Sequence, residues 1–247
     1  MRQQDALDML KMGKSVFLTG PAGAGKTYVL NEYIRFLREH GVAVGVTAST
    51  GIAATHMNGM TIHSWSGIGI KDTLSAKDIE TIRKRARLRD RMIETKVLVI
   101  DEISMLHAFQ FDLIDTVCRA IRACDEPFGG LQVILSGDFF QLPPISRDNA
   151  EISFVHQSRG WAELAPKVCY LNEQHRQEDD VLLGILTDIR TNNVTDKTLQ
   201  PLRRRYRQEV EGGVYPTKLY THNIDVDRIN EQELDRLEGE EVVYEMH

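Results

Sequence analysis

A glycine-rich segment that directly follows a short apolar run determines much of what this 247-residue chain can form. Residues 20–27 read Gly-Pro-Ala-Gly-Ala-Gly-Lys-Thr, and the apolar run before them covers residues 15–19. Glycines at this spacing let successive backbone N–H groups turn towards a phosphate. Apolar residues then recur at helical spacing within residues 28–40, and Gly41 follows where a helix would end. The order of strand, loop and helix predicts a nucleoside triphosphate site.

The chemistry of this loop assigns a role to its last two residues. Lys26 is expected to reach the β- and γ-phosphate oxygens, and the Thr27 hydroxyl is expected to bind Mg²⁺. The residues predicted to contact the nucleotide are Gly20, Pro21, Ala22, Gly23, Ala24, Gly25, Lys26, Thr27 and Tyr28.

Three further apolar runs predict an α/β fold with a doubly wound parallel sheet. Residues 42–46, 97–100 and 133–135 are short, rich in β-branched residues and nearly continuous in apolar character. Such runs are typical of strands that are buried on both faces of a parallel sheet. Each run is followed by polar residues, which we expect to meet the phosphate loop at the carboxyl edge of the sheet.

Two of these polar segments carry candidate catalytic groups. Asp101 and Glu102 end the run at 97–100, where the first acid is expected to hold Mg²⁺ and the second to activate the attacking water. Gln141 follows the run at 133–135 and is the candidate for contact with the γ-phosphate. The adjacent Phe139 and Phe140 are predicted to stack on bases or, equally, to anchor the core.

Composition limits the class of protein. The chain is 42% hydrophobic, has a formal charge of −6, and has three cysteines without a Cys-x-x-Cys pair. It has no apolar signal segment and no apolar window long enough to cross a membrane. We therefore expect a soluble cytoplasmic protein with reduced thiols and no transition-metal site.

The motifs together resemble those of superfamily 1 helicases in order and spacing. Residues 20–27, 47–54, 61–65, 101–105, 137–144 and 171–177 resemble motifs I, Ia, Ib, II, III and IV. Residues 111–134, which include Arg-Ala-Ile-Arg at 119–122 and Pro-Phe-Gly-Gly at 127–130, resemble the segment that marks the Pif1 family of DNA helicases. The resemblance extends over essentially the whole chain.

This resemblance implies an ATP-dependent helicase that moves 5′ to 3′ on single-stranded DNA and serves genome maintenance, in repair, recombination and telomere maintenance. It implies an arginine finger at Arg176, an adenine-reading glutamine at Gln3 or Gln4, and a γ-phosphate sensor at Gln141. Its implied partners are single-stranded DNA and forked or tailed duplex DNA, bound by a monomer in the cytoplasm, at the nucleoid if the source is bacterial.

The predicted DNA contacts fall in motifs Ia and Ib and at the two phenylalanines of motif III. Hydroxyls, one close backbone approach and a stacking ring suit strand binding without sequence preference. The alternative interpretation of His63 and Trp65 is that their side chains are buried in the core. The residues implied to bind DNA are Thr47, Thr50, Gly51, His63, Trp65, Phe139 and Phe140.

The predicted domain boundary lies near residue 166. Residues 1–166 are expected to form a RecA-like ATP-binding domain, and 167–247 the beginning of a second RecA-like domain. In the second part, strands are predicted at 168–171 and 218–221, and helices at 179–190, 196–206 and 224–237. Motifs V and VI of the family have no counterpart, so the chain is expected to be truncated.

Two rival functions remain at this point. One is a fragment that binds ATP and DNA without productive turnover, which the absent motifs favour. The other is a different phosphate-loop enzyme, such as a nucleotide kinase, which leaves residues 137–144 and Arg176 unexplained. Stimulation of ATP hydrolysis by single-stranded DNA would separate a helicase motor from both.

Overall fold

The computed structural model describes residues 1–145, 152–173, 179–208, 217–221, 223–237, 239 and 242, which belong to two compact units. The first unit is Met1–Asn193 and the second is Val194–His247. The described strands all belong to the first unit: β1 (Val16–Thr19), β2 (Val44–Ala48), β3 (Met60–Thr61), β4 (Val97–Asp101), β5 (Gln132–Ser136) and β6 (Lys167–Tyr170).

The helices of the first unit surround this sheet. Their bounds are α1 (Gln3–Lys11), α2 (Lys26–Glu39), α3 (Gly51–His56), α4 (Ile62–Ser66), α5 (Ala76–Lys84), α6 (Ala86–Glu94), α7 (Ala108–Arg122), α8 (Arg159–Leu164) and α9 (Asp180–Arg190). In the second unit the described helices are α10 (Asp196–Arg205) and α11 (Asn223–Leu234).

The sheet is parallel, with the strand order β3-β2-β4-β5-β1-β6. Strands β4, β5 and β1 are therefore immediate neighbours at its centre. Their carboxyl ends are followed by the acidic pair, by residues 137–144 and by the phosphate loop, respectively. Because parallel strands end at one edge, this order brings the three polar segments side by side.

Two core layers cover the two faces of the sheet. Alternate residues of a strand point to opposite faces, and the layers divide accordingly: Val97, Val99 and Ile134 pack in the layer of α1 and α2, whereas Leu98 and Ile100 pack in the layer of α6 and α7. Every residue of β1 and β4 is buried. The central strands are apolar over most of their length because neither of their faces meets water.

The α/β class and most of the predicted elements are confirmed. The strands predicted at 97–100 and 133–135 are β4 and β5, and the helix predicted at 28–40 is α2. The run at 42–46 is displaced by two residues, since β2 is Val44–Ala48. The strand predicted at 218–221 is not formed, as residues 217–221 have no regular secondary structure.

The predicted boundary near residue 166 differs from the structure. Strand β6 pairs in parallel with β1, from Val16 opposite Lys167 to Thr19 opposite Tyr170. Cys169 and Leu171 are buried in the core layer of α1 and α2. The strand assigned to a second domain is thus the edge strand of the first sheet, and the division falls after Asn193.

Among the residues that the structure describes, no helix combines the length and the apolar character that crossing a membrane requires.

Candidate functional site

The phosphate loop joins β1 to α2 and begins and ends in glycines whose conformation a side chain would oppose. Gly25 caps α2 with a φ of +84°, and a Cβ there would lie 2.0 Å from Nε2 of Gln3. A Cβ on Gly20 would lie 2.4 Å from the carbonyl oxygen of Leu171. Only glycine fits both positions. The two glycines therefore allow the loop to pack tightly against Gln3 and Leu171.

Lys26, the first residue of α2, folds back over this loop. Its Nζ donates hydrogen bonds to the carbonyl oxygens of Gly20, at 2.8 Å, and Pro21, at 3.1 Å. Burial lowers the pKa of Lys26, while the charges of Asp138, Glu102 and Asp101 act in the opposite direction. The ammonium group thus lies among acids at the mouth of the loop, where a phosphate would meet it.

The acidic pair lies at the end of β4. Asp101 is 7% exposed, and one of its carboxylate oxygens accepts a hydrogen bond from the backbone N–H of Glu102 at 2.9 Å. Burial raises the pKa of both acids, and the charge of Asp101 raises that of Glu102 further. A raised pKa suits a carboxylate that accepts a proton from water.

The acids and the loop share one cleft. A cavity of about 700 Å³ is lined by Thr27, Asp101, Glu102 and Gln141, together with Thr50 and residues of α3. The sequence predicted that these groups meet at the carboxyl edge, and the structure brings them together. Their oxygen atoms form the hard donor set that Mg²⁺ prefers.

Sequence reasoning assigned no role to two charged residues beside this cleft. Asp138 follows β5, is 1% exposed, and accepts a hydrogen bond from Nε2 of Gln141 at 3.1 Å. Arg190, the last residue of α9, donates to both oxygens of Asp138, at 2.7 and 3.0 Å. The acid immediately after Gly137 was a signal for the first residue, but 52 positions separate it from the arginine.

The two candidate glutamines differ in what they contact. Nε2 of Gln3 donates to the carbonyl oxygen of Ala24 in the phosphate loop at 3.3 Å, whereas Nε2 of Gln4 donates to Asp8 on the same helix. Both line a second cavity of about 370 Å³, which Tyr28 also lines. Only Gln3 reaches the loop.

The residues predicted to contact DNA fall into two groups. Thr50 and His63 are half-buried, Gly51 is exposed at the start of α3, and Phe140 is 73% exposed. Thr50 caps α3, as its hydroxyl accepts a hydrogen bond from the N–H of Ala53. Burial lowers the pKa of His63, against a hydrogen bond with Gln110.

The other three residues that were predicted to contact DNA make contacts within the fold instead. Trp65 is 1% exposed within the core layer of α6 and α7, so the prediction of a stacking platform is wrong there. Thr47 is fully buried, and its hydroxyl donates to the carbonyl oxygen of Val99. Phe139 packs against Phe17, with ring centroids 5.2 Å apart. Arg176 lies outside the described residues.

A parallel sheet with a phosphate loop after β1 and an acidic pair after β4 defines a phosphate-loop NTPase of the RecA-like class. Within that class the family model described as PIF1-like helicase matches residues 3–187. The chain belongs to this family.

Individual relatives and solved structures agree with this assignment. The ATP-dependent DNA helicase Pif1 of Psychrobacter is 52% identical over 99% of this chain, and that of Xenopus laevis, named PIF1, is 38% identical over 98%. The chain spans 38% of the length of both relatives. A crystal structure of Pif1 helicase from Candida albicans superposes with a TM-score of 0.89, at 35% identity, over 98% of this chain and 56% of that one.

A second solved structure, whose sequence is 28% identical to this chain, contains ligands. Pif1 helicase from Bacteroides, in complex with ADP-AlF3 and single-stranded DNA, superposes with a TM-score of 0.79 over 96% of this chain and 57% of that one.

Proposed function

We propose that this chain is the ATP-binding part of a DNA helicase that uses ATP to move 5′ to 3′ along single-stranded DNA. The observation that carries the proposal is the cleft lined by Asp101, Glu102 and Gln141 at the carboxyl edge of the sheet. The charge of Lys26 interacts with both of these acids. Membership of the PIF1-like helicase family supports the coupling of this site to DNA. Direction of movement and a role in genome maintenance rest on the family alone.

Each residue of the cleft has a task in this proposal. Lys26 binds the β- and γ-phosphates, and Glu102 accepts the proton of the attacking water. Thr27 and Asp101 supply oxygen ligands for Mg²⁺, an ion that neutralises phosphate charge when bound. Gln141 donates to the γ-phosphate. Arg176 is proposed as the arginine finger on the strength of its motif.

The adenine contact is proposed for Gln3 rather than Gln4. Gln3 is the glutamine whose amide reaches the phosphate loop, and Tyr28, which is 58% exposed, lines the same cavity. An amide can read the edge of a base while a ring packs against its face.

For DNA, the proposed contacts are the accessible residues Thr50, Gly51, His63 and Phe140. Related Pif1 structures hold single-stranded DNA, and one concerns unwinding at forked duplex DNA. Residues 194–247 are proposed as the beginning of a second RecA-like domain.

The experiment is a nucleotide titration with a lysine variant. Lys26→Ala should lose most of its affinity for MgATP in isothermal calorimetry, because a cationic contact to two phosphates is lost while α2 stays intact. Lys77→Ala, at an exposed position of α5, is the control and should bind as the parent does. Equal affinity of a folded Lys26→Ala variant and the parent would contradict the nucleotide site.

Hydrolysis then separates the candidate functions. Single-stranded DNA should stimulate ATP turnover, and the affinity of the chain for this DNA should fall as the salt concentration rises. Turnover that is indifferent to DNA would favour another phosphate-loop enzyme, whereas ATP and DNA binding without any single-turnover hydrolysis would favour a binding fragment.

A further inference from the structure

Asp138 links the segment that follows β5 to helix α9. Its carboxylate accepts hydrogen bonds from the backbone N–H of Phe140 at 3.2 Å, from Nε2 of Gln141 at 3.1 Å, and from both terminal nitrogens of Arg190. The backbone N–H of Gln141 also donates to the carbonyl oxygen of Asp138 at 2.9 Å. The acid therefore holds both the backbone and the side chain of the proposed γ-phosphate sensor.

Arg190 stabilises the ionised form of Asp138. Burial alone would raise the pKa of this carboxyl, but hydrogen bonds from Arg190, Gln141 and Phe140 outweigh burial and lower it. Lys26 and Glu102 are the other charged groups that interact with Asp138 across the cleft. Without the guanidinium group, a nearly inaccessible carboxylate would remain close to the acidic side chain of Glu102.

An ionised carboxylate determines which way an amide points. It accepts hydrogen bonds and donates none, so it must face the NH₂ group of Gln141 and not its oxygen. One N–H of that group is then used by Asp138, and the second is left to donate. A phosphate oxygen needs such a donor, whereas the amide oxygen would repel it.

Arg190 is itself well anchored. Its guanidinium group lies 4.6 Å from the ring centroid of Phe140, and its side chain is 20% exposed. The paired, two-pronged geometry is one that arginine forms and lysine cannot. An arginine held in this way restrains the carboxylate in one orientation.

We propose that Arg190 is a positioning residue for nucleotide recognition, which holds Asp138 so that the amide nitrogen of Gln141 faces the γ-phosphate of ATP. The inference rests on the proposed ATP site. It makes Arg190 a determinant of the discrimination between a triphosphate and a diphosphate, because ADP carries no group for Gln141 to contact.

The test measures that discrimination directly. A fluorescent ADP analogue is displaced from the chain by ADP and by the non-hydrolysable analogue adenylyl imidodiphosphate, and the ratio of the two dissociation constants is compared between variants. Arg190→Ala should lower the preference for the triphosphate roughly tenfold, the size of one lost charge-assisted hydrogen bond. Arg190→Lys, which keeps the charge but not the fork, should recover part of the preference.

The double variant identifies the route of the effect. If Arg190 acts through Gln141, then Arg190→Ala combined with Gln141→Ala should discriminate no worse than Gln141→Ala alone. Arg35→Ala, at an exposed position of α2 that pairs with Glu32 and Glu39, should leave the ratio unchanged. Circular dichroism checks folding, and Arg190→Lys carries the test if the alanine variant does not fold.

Three outcomes would overturn the inference. A folded Arg190→Ala variant that loses affinity for both nucleotides equally would mean that Arg190 acts only through its charge or its packing. A further loss in the double variant would mean that it acts independently of Gln141. Unchanged dissociation constants for both nucleotides would mean that it has no part in nucleotide recognition. Failure of the parent chain to bind either nucleotide would instead contradict the proposed ATP site.

Discussion

Glu102 occupies a backbone conformation that few side chains adopt. Its φ of 52° and ψ of 43° lie in the left-handed region, and the backbone turns there from β4 into a short 3₁₀ turn at Ile103–Met105. Such strain persists where the surrounding structure holds it, and it is frequent at functional sites. Here Glu102 lies directly after Asp101, and both acids line the same cleft at the end of the strand.

Replacement of Glu102 by glutamine should separate binding from turnover. Glu102→Gln should retain affinity for MgATP but lose hydrolysis about a hundredfold or more, because an amide can orient water without accepting its proton. Single-turnover hydrolysis and nucleotide calorimetry on the same preparation measure the two properties. A variant that hydrolyses ATP at the rate of the parent would exclude Glu102 as the base.

Two aromatic residues should respond in opposite ways to truncation. Trp65→Ala should lower the free energy of unfolding by about 3–5 kcal/mol, because it leaves a cavity in the core, and Phe140→Ala should change it little. Phe140→Ala should weaken binding of single-stranded DNA, because its ring is accessible for stacking.

Urea unfolding and anisotropy titrations with labelled DNA distinguish the two variants. A strong loss of DNA affinity in Trp65→Ala, measured at a temperature where that variant is folded, would restore the stacking role.

At the scale of elements, the arginines of residues 119–122 join helices. Nη1 of Arg122 donates to the carbonyl oxygens of Met92, Ile93 and Thr95 at the end of α6, and its Nε donates to that of Gly129 at 2.7 Å. The last carbonyls of a helix have no partner within it, and a cation is favourable at that end. The segment 111–134, by which the sequence resembles the Pif1 family, thus connects α6, α7 and the turn at Pro127–Gly130.

Loss of this connection should destabilise the fold. Arg122→Ala should reduce the free energy of unfolding by about 2 kcal/mol, since several charge-assisted hydrogen bonds to half-buried carbonyls are removed together. Arg87→Ala, at an exposed position of α6, is the matched control and should stay within about 0.5 kcal/mol of the parent. Equal stability of the two variants in urea unfolding would show that water replaces the guanidinium group without cost.

At the scale of the whole molecule, both core layers of the described residues lie in the first unit. Both core layers consist of residues between Ala6 and Leu171. The sheet they cover ends with β6, whose pairing with β1 lies beyond the boundary predicted near residue 166. The unit Met1–Asn193 therefore has what an independently folding domain needs.

Truncation at two points should reveal the true boundary. Residues 1–193 alone should keep the nucleotide affinity of the longer chain, with a Tm shifted by no more than about 3 °C. Residues 1–166 lack β6 and should be unstable, because β1 loses one of its two neighbouring strands and its edge is exposed. Thermal unfolding of both pieces checks this, and a stable, nucleotide-binding 1–166 piece would refute the boundary after Asn193.

The phosphate loop, the acidic pair and the central strands were predictable because their signals are local. The spacing of the glycines, the alternation of apolar runs with polar ends, and the helical period of residues 28–40 each lie within a short window of sequence. Nearly continuous apolar runs are typical of parallel strands, and the polar ends of parallel strands share one edge of the sheet. The meeting of Lys26, Asp101, Glu102 and Gln141 follows from the same rule.

Pairing between distant segments decided the rest. Trp65 carries the same local signal whether it is exposed or packed beneath α6 and α7, and only the fold buries it. Strand β6 reads as a new apolar run, yet its hydrogen bonds go to β1, about 150 residues earlier. Arg190 and Asp138 show no pattern that links them, since a bidentate ion pair is set by the direction of two side chains and not by their spacing. Local chemistry is therefore legible in the sequence, whereas burial and long-range partners depend on how the layers pack.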